Sequence, residues 1–212
     1  MAVITISRQF GAGGVTLGRM IAKKLGYTFA DENIVQRIAK EANVSYDWVQ
    51  SFEKEAGGKL SKVISKMISR SMIDRVLADE RGYLDEQIYL DYLVLIIAQA
   101  ADEGDVVILG RGSQYILDDH PDAYHLLLID EEQNRVKFLM EHYDLSERRA
   151  RNFMISEDKR RLNLFKKLGK KDYDHPELYH LVINMNRFSL ESAMQLVAAL
   201  VNRECSNGQM TK

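Results

Sequence analysis

At 212 residues, 46% hydrophobic and 28% charged, with two prolines against 13 glycines, the chain has room for one α/β domain with small insertions and excludes a disordered or fibrous protein. Its 29 basic and 31 acidic residues leave a formal charge of -2, so no global field draws it to nucleic acid or an anionic membrane, and any affinity for phosphate must be local. A lone cysteine, Cys205, excludes an internal disulfide and a cysteine metal cluster and fits a reducing compartment.

Met1 to Ile6 carries neither a basic leader nor a small-residue cleavage site, so no signal peptide is expected. The longest apolar stretch, Tyr92 to Ala101, is broken by Gln99 and is too short to span a bilayer. A cytoplasmic protein with no membrane role is the expectation.

Val3 to Ile6 is a β-branched run ending in a glycine-rich turn, which predicts a buried first strand. From Thr16 to Leu25 the residues Leu17, Ile21 and Leu25 recur every four positions and Gly26 supplies a stop, so a helix follows at once. Tyr27 to Phe29 reads as a second short strand. Between Asn33 and Ala101 only helical periodicity is visible, in Ile34 and Ile38, Trp48 and Phe52, then Leu60, Val63, Ile64, Met67 and Ile68. Gly57-Gly58 breaks this helical insertion once, and Lys62, Lys66, Arg70 and Arg75 read as a solvated face.

Val106 to Leu109 and Tyr124 to Ile129 are continuous apolar runs, the pattern of parallel strands buried on both faces. Glu131 to His142 and Ser146 to about Lys167 are helical, Leu181 to Ile183 is a last strand, and Ser189 caps a closing helix through Val201. Strands separated by helices give a doubly wound parallel sheet, whose ligands sit beyond the carboxyl ends of the strands. Those ends are Ser7 to Gly14, Asp31, Gly110 to Gly112 and the region after Ile183.

Ser7-Arg8-Gln9-Phe10-Gly11-Ala12-Gly13-Gly14 lies between the first strand and the first helix, where backbone N–H groups and the helix dipole favour an anion. Glycines there allow close approach of phosphate oxygens and positive φ, although a tight turn alone would also use them. Arg111, flanked by glycines at a strand end, is placed either to fork onto a phosphate or to make a structural ion pair. Asp31 either accepts hydrogen bonds from a ligand or caps the helix starting near Glu32, and Arg37 lies about a turn and a half into that helix. The five histidines, His120, His125, His142, His175 and His180, have no metal-ligand spacing, so no zinc is expected.

The run I-T-I-S-R-Q-F-G-A-G-G with Leu17-Gly18-Arg19 resembles the opening of the cytidylate kinase-like family. Tyr27 to Asp31, Leu109 to Gly112 and Val182 to Ser189 resemble further segments of that family, so the likeness spans most of the chain outside Val44 to Glu86. It implies a three-layer P-loop kinase fold with a parallel sheet of about five strands and helices on both faces. It also implies one domain, with a core of about 1–32, 103–142 and 178–204, a helical acceptor-side insertion of about 33–102 and a lid of about 143–177. By the same resemblance Gln9, Phe10, Gly11, Ala12, Gly13, Gly14, Val15 and Thr16 would hold the phosphates of ATP carried with Mg2+, and Asp31, Arg37 and Arg111 would hold an acceptor nucleotide, CMP or dCMP first. The basic stretch Ser156 to Lys171, with Arg160 and Arg161, falls where related kinases carry a mobile cationic lid, though such residues on a helix are commonly just solvated.

The match departs from G-x-x-x-x-G-K-[ST]. Arg8 takes the first glycine's place, Gly14 the lysine's and Val15 the hydroxyl's, with Thr16 the nearest alternative, while Leu109 and Gly112 replace the family's aspartates beside the Gly-Arg pair. Arg8 or Arg19 is therefore expected to supply the missing charge. The alternative is a nucleotide- or phosphate-binding regulatory module that kept the fold and lost transfer. Nucleotides are the expected partners, and the Met- and Ile-rich insertion offers a surface for a homodimer.

Overall fold

The computed structural model describes residues 1–41, 86–171 and 173–207. Five strands, β1 (Val3–Arg8), β2 (Thr28–Ala30), β3 (Val106–Leu109), β4 (Ala123–Ile129) and β5 (Leu181–Asn184), form one sheet in the order β2-β3-β1-β4-β5 with every neighbouring pair parallel. The helices between them are α1 (Gly14–Leu25), α2 (Glu32–Glu41), α3 (Glu86–Glu103), α4 (Ser113–Ile116), α5 (Glu132–Tyr143), α6 (Glu147–Lys167) and α7 (Leu190–Asn207), with a 3-10 turn at Pro176–Leu178.

The apolar runs form central strands because each face of the sheet has its own core. Val3, Val106 and Ile108 pack with Leu93, Ile96 and Ile97 of α3 on one face. Ile4, Ile6, Val107 and Leu109 pack with Leu17 and Ile21 of α1 and Val197 of α7 on the other. Alternation along a strand sends successive side chains to opposite cores, and each buried Val, Leu or Ile contributes about 1.5–3 kcal/mol from apolar burial.

The register positions the site. β1 pairs with β3 only through Ile6 opposite Leu109, but continues beside β4 to Arg8 opposite Leu128. The chain leaves β1 toward α1 on one face of the sheet and leaves β3 toward α4 on the other, where Tyr115 and Leu117 join the α3 core. Two adjacent strands whose exits diverge open a crevice at their carboxyl ends, and ligands of such sheets bind there.

Most expected elements agree with these to within two residues. β1 is longer than the apolar run because Ser7 and Arg8 still pair with β4, and α1 starts two residues early because Gly13 in a left-handed conformation (φ 79) already turns the chain into the helix. The cap at Ser189 is present: its Oγ accepts from Ser192 N–H at 3.1 Å. The short helix α4 was not expected, since four residues carry too little periodicity to read. Trp48, Phe52, the Gly57-Gly58 break and the basic residues Lys62 to Arg75 lie outside the described residues.

Candidate active site at the β1 and β3 ends

The turn between β1 and α1 is built to leave backbone N–H groups open. Gly11 (φ 91) and Gly13 (φ 79) take left-handed conformations that a side chain disfavours. The N-terminus of α1 has no side-chain cap, and the first helical N–H to be engaged is that of Leu17, which donates to Gly13 O at 2.9 Å. The N–H groups of Gly13, Gly14, Val15 and Thr16 form no hydrogen bond among the described residues. They converge at the positive end of the helix dipole, an arrangement that favours an anion.

The start of the same turn is held firmly. Phe10 N–H donates to Asp158 Oδ1 of α6 at 2.9 Å, and Phe10 O accepts from Arg135 Nη1 of α5 at 3.3 Å. Arg135 and Asp158 are themselves paired at 2.7 Å. Gln9 Oε1 accepts Asp130 N–H at 3.0 Å beyond the end of β4. Gly11 passes so close to α5 that a Cβ on it would lie 3.0 Å from both Cβ and O of Arg135.

Arg8 follows Ile4 and Ile6 in facing α1. Its stem crosses Gly14: a Cβ built there would lie 2.9 Å from Arg8 Cγ and 3.2 Å from Cδ. Its guanidinium ends against Gly110, where a Cβ would lie 3.3 Å from Cζ and collide with Nη1. The side chain forms no hydrogen bond and no ion pair with any described residue. Burial pushes its pKa down to about 10, with Asp31 opposing and Arg161, Arg111 and Arg160 adding to the fall, so it remains a cation at neutral pH.

Gly110, Arg111 and Gly112 are three consecutive residues at positive φ (67, 54 and 70), a left-handed turn that costs Arg111 roughly 1 kcal/mol of strain and projects its side chain over the crevice. There Arg111 pairs with Asp31 at 2.9 Å. From α6, Arg160 pairs with Glu157 at 3.0 Å. Arg161 forks onto Asp174 at 2.9 and 2.6 Å and stands 5.2 Å over the Phe165 ring, while Tyr179 donates to the same Asp174 carboxylate at 2.9 Å.

Between these groups lies a cavity of about 160 Å³. Among the described residues five cations line it, Arg8, Arg111, Arg160, Arg161 and Lys167, against the two carboxylates of Asp31 and Glu157, with the rings of Phe10 and Tyr89 on its walls. Positive charge gathered in a partly buried crevice favours the entry of an anion.

Of the residues singled out from sequence, Arg8, Phe10, Asp31, Arg111, Arg160 and Arg161 share this cavity. Asp31 turns its carboxylate to Arg111, and its backbone carbonyl accepts from Ile34 N–H at 3.3 Å. Arg37 does not point to the cavity: it bonds Gln99 Oε1 at 2.9 Å and stands 4.0 Å from Glu103 on α3, because its position on α2 faces that neighbouring helix. Arg19 is exposed and lies 5.9 Å over the Phe29 ring, since one helical turn past the loop points it outward. Sequence reasoning missed Asp158, Arg135, Glu157, Asp174, Tyr89 and Lys167. Only Glu157, Asp158 and Lys167 stood inside the basic stretch that drew notice; Glu157 meets Arg160 at the i,i+3 spacing that a helix face would have suggested, whereas Asp158 meets Arg135 23 residues away, beyond what spacing reveals.

Among the described residues no helix is long and apolar enough to cross a membrane. Solved structures share the fold. An uncharacterized protein from Eubacterium ventriosum superposes with a TM-score of 0.69 at 18% identity, over 95% of this chain and 98% of that one. A shikimate kinase from Bacteroides thetaiotaomicron (TM-score 0.53, 15% identity, 95% and 98% covered) and a gluconokinase from Sinorhizobium meliloti (TM-score 0.53, 13% identity, 100% and 97% covered) have the same P-loop kinase architecture. No curated protein matches the sequence significantly. The model of the cytidylate kinase-like family, however, matches residues 3–187, which with the open glycine turn, the crevice beside it and the shared architecture identifies the chain as a member of the cytidylate kinase-like family.

Proposed function

We propose that the protein transfers a phosphoryl group from ATP to a nucleoside monophosphate, with CMP and dCMP the first acceptors to test. The observation that carries this reading is adjacency: Arg8, whose stem crosses Gly14 among the open amides suited to a donor's phosphates, and Phe10 of the same turn also line a crevice that holds, among the described residues, five cations against two carboxylates. Phosphoryl transfer asks a protein mainly for position and for positive charge around the moving group.

In this reading the N–H groups of Gly13, Gly14, Val15 and Thr16 hold the donor's phosphates, and Phe10, pinned by Asp158 and Arg135, keeps the turn in place. Arg111, steadied by Asp31, and Arg160 orient the acceptor's phosphate, whose oxygen attacks the terminal phosphorus as the bond to the ADP oxygen breaks. Arg161, fixed by Asp174, keeps charge at the crevice without swinging into solvent.

Mg2+ would enter with ATP. No group of three His, Cys, Asp or Glu residues able to hold a metal occurs among the described residues, and Thr16 stands one position past the hydroxyl's place in the usual pattern. Mg2+ keeps several waters and binds readily to phosphate oxygens, so Thr16 with the donor's own phosphates would hold it and it would neutralise charge there.

An ADP-release assay with ATP and each common nucleoside monophosphate tests the proposal: turnover with a pyrimidine monophosphate above the ATP-only rate is the expected result. The binding-module reading draws on the glycine at position 14. It predicts that ATP at about 100 times its dissociation constant stabilises the fold by about 2.7 kcal/mol while no acceptor gives turnover.

A further inference from the structure

Two departures from the usual phosphate-binding pattern meet at a single point in space. The pattern has glycine first and lysine in its seventh place; this chain has Arg8 first and Gly14 seventh. Arg8 Cγ and Cδ lie 2.9 and 3.2 Å from where a Gly14 Cβ would stand, so the two positions share room for one long side chain. A lysine at 14 would drive its first carbon into the arginine stem, and glycine at 14 is the consequence of arginine at 8.

We infer that the chain has exchanged the two positions, so that Arg8, rising from the strand and crossing Gly14, delivers the cation that a lysine on the helix would otherwise bring to the terminal phosphates. This rests on the phosphotransferase reading and names the group that contacts the moving phosphoryl. Three observations carry it besides the steric one. The guanidinium reaches Gly110, at the crevice between the β1 and β3 ends. It has no hydrogen bond and no ion pair with any described residue, whereas Arg111, Arg160 and Arg161 are each paired with a carboxylate. Gly110 is itself required, because a side chain there would displace the guanidinium.

An arginine in this role has a property a lysine lacks. Its planar fork offers paired N–H donors to two oxygens of one phosphoryl group and stays charged despite burial. A cation crossing from the strand also approaches from the acceptor's side of the turn, which places one residue in reach of both substrates.

The test is an exchange. The variants are Arg8→Gly, Gly14→Lys and the two combined, with Arg8→Gln and Arg8→Lys as a second pair. Turnover is measured with the best acceptor, and the thermal shift is measured with ATP and magnesium. Each single exchange variant is expected to lose at least a hundredfold in turnover, as removal of one transition-state donor does, and the combined variant to recover at least tenfold over either. A combined variant no better than the worse single one overturns the inference.

Should Gly14→Lys not fold, the second pair decides. Arg8→Gln must abolish the ATP-induced shift while leaving the melting point of the unliganded protein unchanged or raised, because it removes a part-buried cation with no carboxylate partner among the described residues; Arg8→Lys must keep part of both shift and turnover. An Arg8→Gln protein that is less stable and still shifts with ATP makes Arg8 a packing residue and sinks the idea. Absence of turnover with every acceptor in the unaltered protein would defeat the phosphotransferase reading alone, since the ATP shift still reports on the exchange.

Discussion

The two walls of the crevice carry positive charge in different ways. On the α6 side Arg161 is locked to Asp174, Arg160 to Glu157 and, just outside, Arg135 to Asp158. On the β1 side Arg8 has no hydrogen bond and no ion pair among the described residues. A paired, part-buried arginine holds elements together, because removing its carboxylate strands a charge; an unpaired one costs stability until an anion arrives. The difference separates the groups that build the crevice from the group that waits in it.

The largest expected effect lies on the paired side. Asp174→Ala removes the carboxylate from Arg161, which keeps only Ser7 Oγ as an acceptor among the described residues, and from the Tyr179 hydroxyl, and is expected to lower stability by about 3–5 kcal/mol, read by chemical denaturation. A loss below about 1 kcal/mol would place Arg161 with Arg8 as a free cation.

A pH effect comes next and involves a group kept neutral. His125 of β4 is buried, its Nδ1 is 2.8 Å from Thr5 Oγ1 of β1, and burial, helped by His180, pushes its pKa from 6.5 down to about 4. The folded value lies below the unfolded one, so the stability it contributes is complete above pH 6.5 and is lost as the pH falls toward 4. The loss is on the order of 3 kcal/mol. Melting followed from pH 7 to pH 4 should show this slope, and His125→Gln should flatten it.

Asp158→Ala removes both the Arg135 pair and the acceptor of the Phe10 N–H, at a cost of about 2 kcal/mol. Its sharper signature is a rise in the Michaelis constant for ATP larger than the fall in kcat, with Asp158→Asn recovering part of the loss through the retained hydrogen bond. Equal changes in both constants would make the contact structural only. The smallest effect belongs to Arg37→Ala, whose exposed contacts with Gln99 and Glu103 are expected to cost less than about 0.5 kcal/mol and to leave turnover unchanged. A tenfold loss of turnover there would return Arg37 to the acceptor site.

Much of the fold was legible because its signals are local. Val106–Leu109 reads as a strand buried on both faces, and Leu17 and Ile21 mark the core side of α1, since burial imposes a period on the sequence itself. The glycine turn was legible for the same reason: Gly11 and Gly13 advertise conformations that few other residues tolerate.

What lay beyond the sequence was the destination of long, charged side chains. Arg8 and Arg19 were alternative substitutes for the missing lysine, and Arg37 stood beside Arg111 as an acceptor ligand only on condition of where its helix begins. Strand alternation and the path of β1 past Gly14 brought the Arg8 side chain to the crevice, while packing of α2 on α3 turned Arg37 to Gln99 and Glu103. The sequence by itself determined where the chain is extended, helical or sharply turned, because those choices depend on near neighbours. Only the tertiary structure decided which arginine of the crevice has no partner among the described residues, because Arg111 meets Asp31 across 80 residues and Arg135 meets Asp158 across 23, and pairing at such separations is set by how the layers pack.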